Sequence, residues 1–179
     1  MSEGSILRVD SFLNHNVDIK LQKAIGDEFR RLFKDTRVDK ILTIEASGIC
    51  AAAFTAMSFG VDMVFAKKYR DSLNRIPGDV YSANIHSFTH DYTYRVVVRK
   101  NYILPGENIL IIDDFLANGL ALRGLIEIVK SAGANLVGAG ICIEKGFQSG
   151  GDRLREEGVR VESLAIIDSM DGGKFVFRE

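Results

Sequence analysis

One stretch of this sequence restricts the possible folds more than any other: "NILIIDD" at residues 108–114, followed by "FLANGLALRGLIEIVKSAGA". An almost purely apolar run leads into two adjacent carboxylates, Asp113 and Asp114, and then into small residues and an amphipathic pattern. The apolar run predicts a buried strand. Neighbouring carboxylates repel each other unless a ligand, a metal ion or hydrogen-bond donors offset the repulsion. The stretch therefore predicts a strand–loop–helix unit with a binding site where the strand ends.

The rest of the chain repeats this alternation of strand and helix. Hydrophobic spacing predicts helices at 18–34 (capped by Asp18), 49–60 (closed by Gly60), 118–132 and 149–158. Strands are predicted at 40–48, 61–68, 80–88, 92–100, 108–113, 135–146, 159–168 and, as an edge strand, 174–179. The 80–88 and 92–100 segments suit either a hairpin or a mobile flap. This order is typical of an α/β fold with a mostly parallel central sheet flanked by helices.

Four of the predicted strands lead into residues that can bind a ligand. The four segments are "EASG" at 45–48, "KKYR" at 67–70, "DDFLANG" at 113–119 and "EKGF" at 144–147. Ligands of open parallel sheets bind outside the carboxyl ends of the strands. We therefore expect the four segments to meet at one edge of the sheet.

The segment after Asp114 has the properties of a phosphate site. Its small residues let backbone amides approach a ligand, and a helix expected to start at about Asn118 offers unpaired N–H groups and the positive end of its dipole. The two carboxylates cannot bind that phosphate, but they suit hydroxyls or a cation. A sugar phosphate satisfies both halves. The alternative, two merely solvated acids, is favoured by the "DD" pair alone but not by the pair together with its loop and helix.

Composition narrows the class of protein. The 179 residues suit one domain, the net charge is -1, and the charges are well mixed, which argues against a nucleic-acid-binding surface. Cys50 and Cys142 lie in apolar or small-residue runs and are expected to be inert core thiols in a reducing cytoplasm. No signal peptide and no membrane-spanning run is expected.

A family resemblance accounts for these features together. The run "ILIIDDFLANGLALRG" (109–124) resembles the phosphoribosyl pyrophosphate (PRPP) motif of type I phosphoribosyltransferases, whereas the Walker A and GxGxxG phosphate-loop patterns are absent. Further segments resemble the xanthine phosphoribosyltransferase family in order and spacing: "VDSFLNH" (9–15), "TIEASGI" (43–49), "FAKK" (65–68), "SFT" (87–89), "IEKGFQSGGDRL" (143–154) and "RVESLAII" (160–167). Members of this family commonly start further upstream, so a short amino terminus is expected here.

The resemblance implies a fold and a reaction. It implies one type I phosphoribosyltransferase domain over 1–179, with a flexible flap at about 69–95. It also implies a small base-binding hood, formed by 1–17 and the chain after about 144. The implied reaction converts xanthine and PRPP to xanthosine 5′-monophosphate and diphosphate. Mg²⁺ is expected to arrive with PRPP rather than on protein side chains, and the protein is expected to be a cytoplasmic homodimer.

Site residues are expected on two grounds. The resemblance implies Leu7, Asn14, Lys145 and the 117–121 loop, position by position, and the chemistry of the strand ends suggests the others. Asp113 and Asp114 are expected to be catalytic at the ribose. The residues expected to bind PRPP are Glu45, Ala46, Ser47, Gly48, Lys68, Ala117, Asn118, Gly119, Leu120 and Ala121. Those expected at the purine are Leu7, Asn14, Lys145 and Phe147. Leu120 departs from the glutamine that is common in the family, but backbone amides do most of the binding there.

Simpler roles compete with several of these assignments. Lys145 can pair with Glu144, and Leu7 and Phe147 can serve packing alone. Lys67, Lys68 and Arg70 can be a solvated run of charge, although their position at a strand end also suits the pyrophosphate of PRPP. If Lys145 does reach the base, it donates to a 6-oxo group and disfavours adenine. The Asn14 amide can donate or accept, so guanine is expected as a weaker substrate.

Two other functions remain open at this point. One keeps the chemistry and changes the base to guanine, hypoxanthine or adenine. The other is a non-catalytic transcriptional regulator that senses PRPP. Such a regulator is expected to carry a DNA-binding domain ahead of Val9 and a basic surface. We expect neither here, because the segment before Val9 is too short for such a domain and the charges are well mixed.

Overall fold

Eight strands form one sheet in the part of the chain that the structure describes. A computed structural model describes residues 7–69, 78–87, 92–171 and 174–178, and in these residues the strand order is β3-β4-β2-β1-β5-β6-β7-β8. The strands are β1 Lys40–Ile44, β2 Asp62–Tyr69, β3 Val80–Ser87, β4 Tyr92–Arg99, β5 Asn108–Leu116, β6 Asn135–Lys145, β7 Val161–Asp171 and β8 Lys174–Phe177. The helices are α1 Ile19–Leu32, α2 Gly48–Phe59, α3 Leu120–Ser131 and α4 Gly150–Glu156.

The middle of the sheet is parallel and its margins are antiparallel. Strand β1 pairs in parallel with β2 and β5, and β6 pairs in parallel with β5 and β7. Strands β3 and β4 pair with each other as an antiparallel hairpin, β4 runs antiparallel to β2, and β8 runs antiparallel to β7. The predicted α/β class and edge strand are confirmed. Of the two alternatives for 80–100, the strands show the hairpin, and residues 70–77 and 88–91 of the expected flap lie outside the described residues.

Alternating residues of β5 face the two layers of helix. Ile109 and Ile111 join a buried cluster with the apolar face of α3, whereas Leu110 and Ile112 join a second cluster with α1 and α2. A strand that is buried on both faces needs apolar residues at every position, which is why its sequence shows no polar alternation. The carboxyl ends of the parallel strands are left at one edge, and there the site forms.

The helix ends follow from local chemistry. Asp18 caps α1 as predicted, because its Oδ1 accepts from the N–H groups of Lys20 (3.0 Å) and Leu21 (3.1 Å). Before α1, residues 10–14 form a single π-helical turn whose Leu13 is buried in the core. Among the described residues, no helix combines the length and the apolarity that crossing a bilayer requires.

Two predicted boundaries near the site are wrong. Strand β5 continues to Leu116 instead of ending at Asp113, because Leu116 is buried and β5 stays paired with β6 up to Leu116 and Glu144. Strand β1 ends at Ile44 rather than at residue 48, and α2 begins at Gly48. Asp113 and Asp114 therefore lie inside a strand.

Candidate active site

The two adjacent carboxylates are almost completely buried. Asp113 is 6% exposed and Asp114 is 5% exposed, and the Asp114 N–H donates to Asp113 Oδ1 at 3.0 Å. Burial, reinforced by the neighbouring charge of Asp114, raises the pKa of Asp113 well above its usual value. The pair therefore resists carrying two negative charges until a ligand compensates them.

The segment between β1 and α2 reaches the same carboxylates. A Cβ added to Gly48 would lie 2.5 Å from Thr43 Oγ1 and 2.7 Å from Asp113 Oδ1, so only glycine lets the first turn of α2 come this close. Glu45 and Ala46 are joined by a cis peptide bond, and Ala46 and Ser47 are exposed to solvent. The start of α2 therefore lies next to Asp113.

Lys68 and Lys67 lie on opposite faces of β2. The Lys68 backbone N–H donates to Glu45 Oε1 at 2.6 Å, and the positive charge of Lys68 acts on Asp113. Lys67, by contrast, lines a groove with Phe65 and Tyr69. Of the two alternatives for this run, added charge at the pyrophosphate does not apply to Lys67, because successive side chains of a strand point to opposite faces. Arg70 lies outside the described residues.

The loop after β5 forms a cradle of small residues. Gly119 adopts φ +85° immediately before α3, and Asn118 Oδ1 accepts from the Leu120 N–H at 3.2 Å. The helix therefore starts at Leu120 rather than at about Asn118, and the loop is only three residues long. Ala117, Leu120 and Ala121 are half-buried around it. The positive end of the α3 dipole favours an anion at this position.

The predicted base-contacting residues come from three parts of the chain. The Lys145 ammonium lies 5.7 Å from the centroid of the Phe115 ring. Leu7 and Phe115 both pack against the buried cluster that α1 and α2 form with β5. Asn14 is exposed at the end of the 10–14 turn, and Phe147 is 48% exposed in the turn after β6, which excludes a core role for it.

Glu144 pairs with Arg155 and not with Lys145, the partner that the sequence offered as an alternative. Its side chain is 1% exposed and binds Arg155 through two hydrogen bonds, Nη1 to Oε1 at 2.9 Å and Nη2 to Oε2 at 2.6 Å. Lys145 forms no ion pair with a carboxylate in the described part of the chain. The alternative pairing of Lys145 with Glu144 is therefore wrong, and the Lys145 ammonium remains available to a ligand.

Comparison with known proteins assigns the family. A family profile described as "Phosphoribosyl transferase domain" matches residues 9–173. A curated "Xanthine phosphoribosyltransferase" of Lachnoclostridium phytofermentans is 56% identical over 180 aligned residues, covering 99% of this chain and 92% of that protein. One of Alkaliphilus metalliredigens is 54% identical, covering 100% and 88%. This chain belongs to the xanthine phosphoribosyltransferase family. The resemblance inferred from the sequence is confirmed.

Solved structures agree with this family on the fold. An adenine phosphoribosyltransferase of Thermoanaerobacter pseudethanolicus matches with a TM-score of 0.72 at 24% identity, covering 83% of this chain and 81% of that chain. The Giardia lamblia enzyme, complexed with 9-deazaadenine, matches with a TM-score of 0.71 at 25% identity, covering 82% and 79%. The type I phosphoribosyltransferase fold is therefore confirmed for this family member. Since the two solved enzymes are named for adenine, the shared fold does not decide the base.

Three residues near the site of this family member were not predicted from its sequence. Phe115 supplies the ring under Lys145, Thr43 lines the start of α2, and Gly150 backs the cradle loop. Phe115 could have been found, because it directly follows the two carboxylates. Thr43 and Gly150 could not, because their relevance depends on contacts between distant segments.

The cysteines only partly fit their expected role. Cys142 is buried as predicted, and burial raises the pKa of its thiol. Cys50 is only half-buried in the first turn of α2, so its placement in the core is wrong, although burial still raises its thiol pKa. Both thiols therefore stay protonated and unreactive near neutral pH.

Proposed function

We propose that the protein transfers the phosphoribosyl group of PRPP to xanthine, giving xanthosine 5′-monophosphate and diphosphate. The observation that carries this proposal is the meeting of a phosphate cradle, two buried carboxylates and the Lys145 ammonium at one edge of the sheet. The names of the relatives that are more than 50% identical support xanthine as the base.

PRPP binds along the carboxyl ends of β1, β2 and β5. Backbone amides of Ala117, Asn118 and Gly119, with the first turn of α3 at Leu120 and Ala121, hold the 5′-phosphate. The pyrophosphate lies against Glu45, Ala46, Ser47 and Gly48, where α2 begins and where Lys68 supplies positive charge. The hydrogen bond between the Lys68 N–H and Glu45 supports this arrangement because it fixes the segment beside β2.

The two carboxylates act on the ribose. Displacement at the anomeric carbon develops positive charge on the ring, and a fixed negative charge stabilises such a state most effectively where water is excluded. Asp113 and Asp114 are both buried, and the hydroxyls of the ribose donate to them. The attacking atom is a ring nitrogen of xanthine, so the reaction requires no protein nucleophile.

The base binds between Lys145 and the amino-terminal segment. Lys145 donates to the 6-oxo group, Asn14 meets the 2-position, and Leu7 and Phe147 contact the faces or edge of the ring. An ammonium aimed at the 6-position leaves adenine without an acceptor. The amide of Asn14 tolerates either an oxygen or an amino group at the 2-position, so guanine is a weaker substrate.

Magnesium accompanies PRPP. We expect the ion to be bound mainly by phosphate oxygens and water, because Mg²⁺ favours phosphate oxygens and keeps several waters. Asp113 and Asp114 carry the carboxylate oxygens of the site that would suit such an ion as ligands. Magnesium neutralises the leaving diphosphate when it is bound.

The assembly and the setting follow the family. We expect one domain whose hood consists of residues 1–17 and the chain after about 144, and whose flap covers about 69–95. A cytoplasmic homodimer is expected, without nucleic-acid or membrane partners. Exposed Met57, Phe65 and Tyr102 line one groove, which a second copy can cover. Light scattering on the purified protein measures the mass, and a monomer at micromolar concentration would contradict the dimer.

A transfer assay tests the proposed reaction. Purified protein is supplied with Mg²⁺, PRPP and, in separate wells, xanthine, guanine, hypoxanthine or adenine, and nucleotide products are separated by chromatography. Xanthosine monophosphate as the main product supports the proposal. Preference for another base would keep the PRPP site and overturn the role of Lys145 and Asn14. PRPP binding without any product would favour the regulatory function.

A further inference from the structure

A chain of ion pairs connects the base side of the site with the phosphate side. Glu144 holds Arg155, Arg155 also contacts Asp152 (3.3 Å), and Arg178 joins Asp152 (2.8 Å) to Asp168 (2.8 Å). Ser163 Oγ donates to Glu144 Oε2 at the inner end. We infer that this network, with Arg155 at its centre, is a positioning device that sets the PRPP cradle and the purine-reading lysine relative to each other.

On the phosphate side, α4 lies directly against the cradle loop. A Cβ added to Gly150 would lie 2.2 Å from the Ala117 carbonyl oxygen and 2.7 Å from the Gly119 nitrogen. The neighbouring Gly151 faces the other way, and its Cβ would lie 2.0 Å from Glu144 Oε1. Two consecutive glycines therefore join the cradle backbone on one side to the buried carboxylate on the other.

On the base side, the same carboxylate immediately precedes Lys145. Glu144 pairs with β5 at Leu116 and with β7 at Ile166, so its position is fixed from both sides of β6. The next residue but one, Gly146, approaches Asp168 and Arg178, since a Cβ there would lie 2.4 Å from Asp168 Oδ1. The network thus contacts Glu144 and Gly146, the residues on either side of Lys145, and the Lys145 ammonium lies over the Phe115 ring.

The pairing of Glu144 with Arg155 is the step that connects the two sides. A buried carboxylate that loses the cation paired with it is strongly unfavourable, so the geometry around Glu144 is held firmly. Arg155 binds it with both terminal nitrogens and also donates from Nε to the Val161 carbonyl at 3.2 Å. Arg155 therefore fixes α4, and with it Gly150, at one distance from β6. Arg155 is not one of the residues proposed to contact either substrate, so we assign it an indirect role through Lys145 and the cradle.

The test compares two arginines with different places in the fold. Arg155→Met removes the central cation and keeps much of the side-chain volume. Arg160→Met is the matched control, because Arg160 binds Glu162 and the Leu32 carbonyl at the amino ends of the parallel strands, away from the site. For each variant we would measure kcat, both KM values, the melting temperature, and the binding of Mg-PRPP and xanthine by calorimetry.

A positioning role predicts a specific pattern. Arg155→Met should raise the KM for PRPP and for xanthine together and lower kcat/KM by roughly 10- to 100-fold, as when reacting groups are misplaced by about an ångström. Arg160→Met should lower the melting temperature and leave both KM values within about twofold. Arg155→Lys keeps the charge without the paired geometry and should recover only part of the activity.

Other results would overturn the inference. If Arg155→Met loses stability but keeps both KM values, its role is only structural. If only the KM for xanthine rises, the two sides are not connected through α4. If Arg155→Met does not fold, Arg178→Gln at the outer end of the network gives the same test with a smaller expected rise of both KM values. The inference rests on the proposed function, but the binding measurements do not need turnover, so a wild-type protein inactive toward xanthine would overturn the proposed function separately.

Discussion

The ammonium of Lys145 lies 5.7 Å from the centroid of the Phe115 ring, at the end of two neighbouring parallel strands. A ring face attracts a cation, so Phe115 keeps the ammonium at this edge of the sheet without neutralising it. Glu144, the adjacent acid, is bound to Arg155 and does not compete. We therefore expect Lys145 to donate a hydrogen bond to a carbonyl oxygen of the base.

Replacing Lys145 should remove the preference for oxopurines. For Lys145→Met we expect kcat/KM for xanthine to fall by roughly 10- to 100-fold, the value of a lost hydrogen bond from a charged donor. Lys130→Met, at an exposed position of α3, is the control and should behave like the wild type. Unchanged xanthine kinetics in Lys145→Met would contradict the assignment.

Phe115 should affect base binding more than PRPP binding. Phe115→Leu keeps an apolar side chain but removes the ring, and the KM for xanthine should rise by roughly two- to fivefold, the scale of an exposed cation–π contact. The KM for PRPP should change less. Phe59→Leu, under Arg30 at the end of α2, is the comparison that loses a similar contact far from the site. Steady-state kinetics with each substrate varied in turn would decide between the two effects.

Gly150 should be intolerant of any side chain, for reasons of space. Gly150→Ala places a methyl group against the carbonyl of Ala117, so the cradle must shift, and we expect the KM for PRPP to rise by roughly tenfold or more. Gly106→Ala serves as the control. It has open space but φ +81°, so it should lose about 1 kcal/mol of stability without a change in KM. Equal KM values in both variants would show that the cradle tolerates the methyl group.

Asp113 should reduce stability in the free protein. Its pKa is raised in the folded state, whereas in the unfolded chain the carboxyl titrates near 3.8. Its favourable contribution is therefore complete below that pH and is lost as the pH rises through the folded-state pKa. Asp113→Asn removes this loss, so the variant should melt a few degrees higher than the wild type at pH 7–8, while kcat falls by about 100-fold.

A carboxylate with the opposite shift provides the comparison for Asp113. Hydrogen bonds from Lys23 and Ser58 lower the pKa of Asp27, so Asp27→Asn should give no gain in melting temperature at neutral pH. Melting curves from pH 4 to pH 8, without ligand, measure both variants. A lower melting temperature for Asp113→Asn across that range would contradict the argument.

Much of the fold could be predicted because local patterns repeat. The apolar run of β5, the spacing of Ile25 and Phe29 in α1 and the Asp18 cap each depend on a few neighbouring residues. The boundaries next to the site were harder to predict. Phe115 and Leu116 extend β5 past the carboxylates because β6 offers them partners, and a sequence does not show which strand lies alongside.

Local sequence patterns account for the strand with Asp113 and Asp114, the small-residue loop and the order of strands and helices. Which faces of these elements meet depends on the packing of the whole sheet. In the packed sheet, Lys67 and Lys68 lie on opposite faces of β2. Glu144 pairs with Arg155 rather than with Lys145, and Gly150 lies against Ala117. The difference lies in the distance along the chain over which the interactions act. Strand and helix patterns arise between near neighbours, whereas burial and ion pairing depend on distant segments that meet only in the packed sheet.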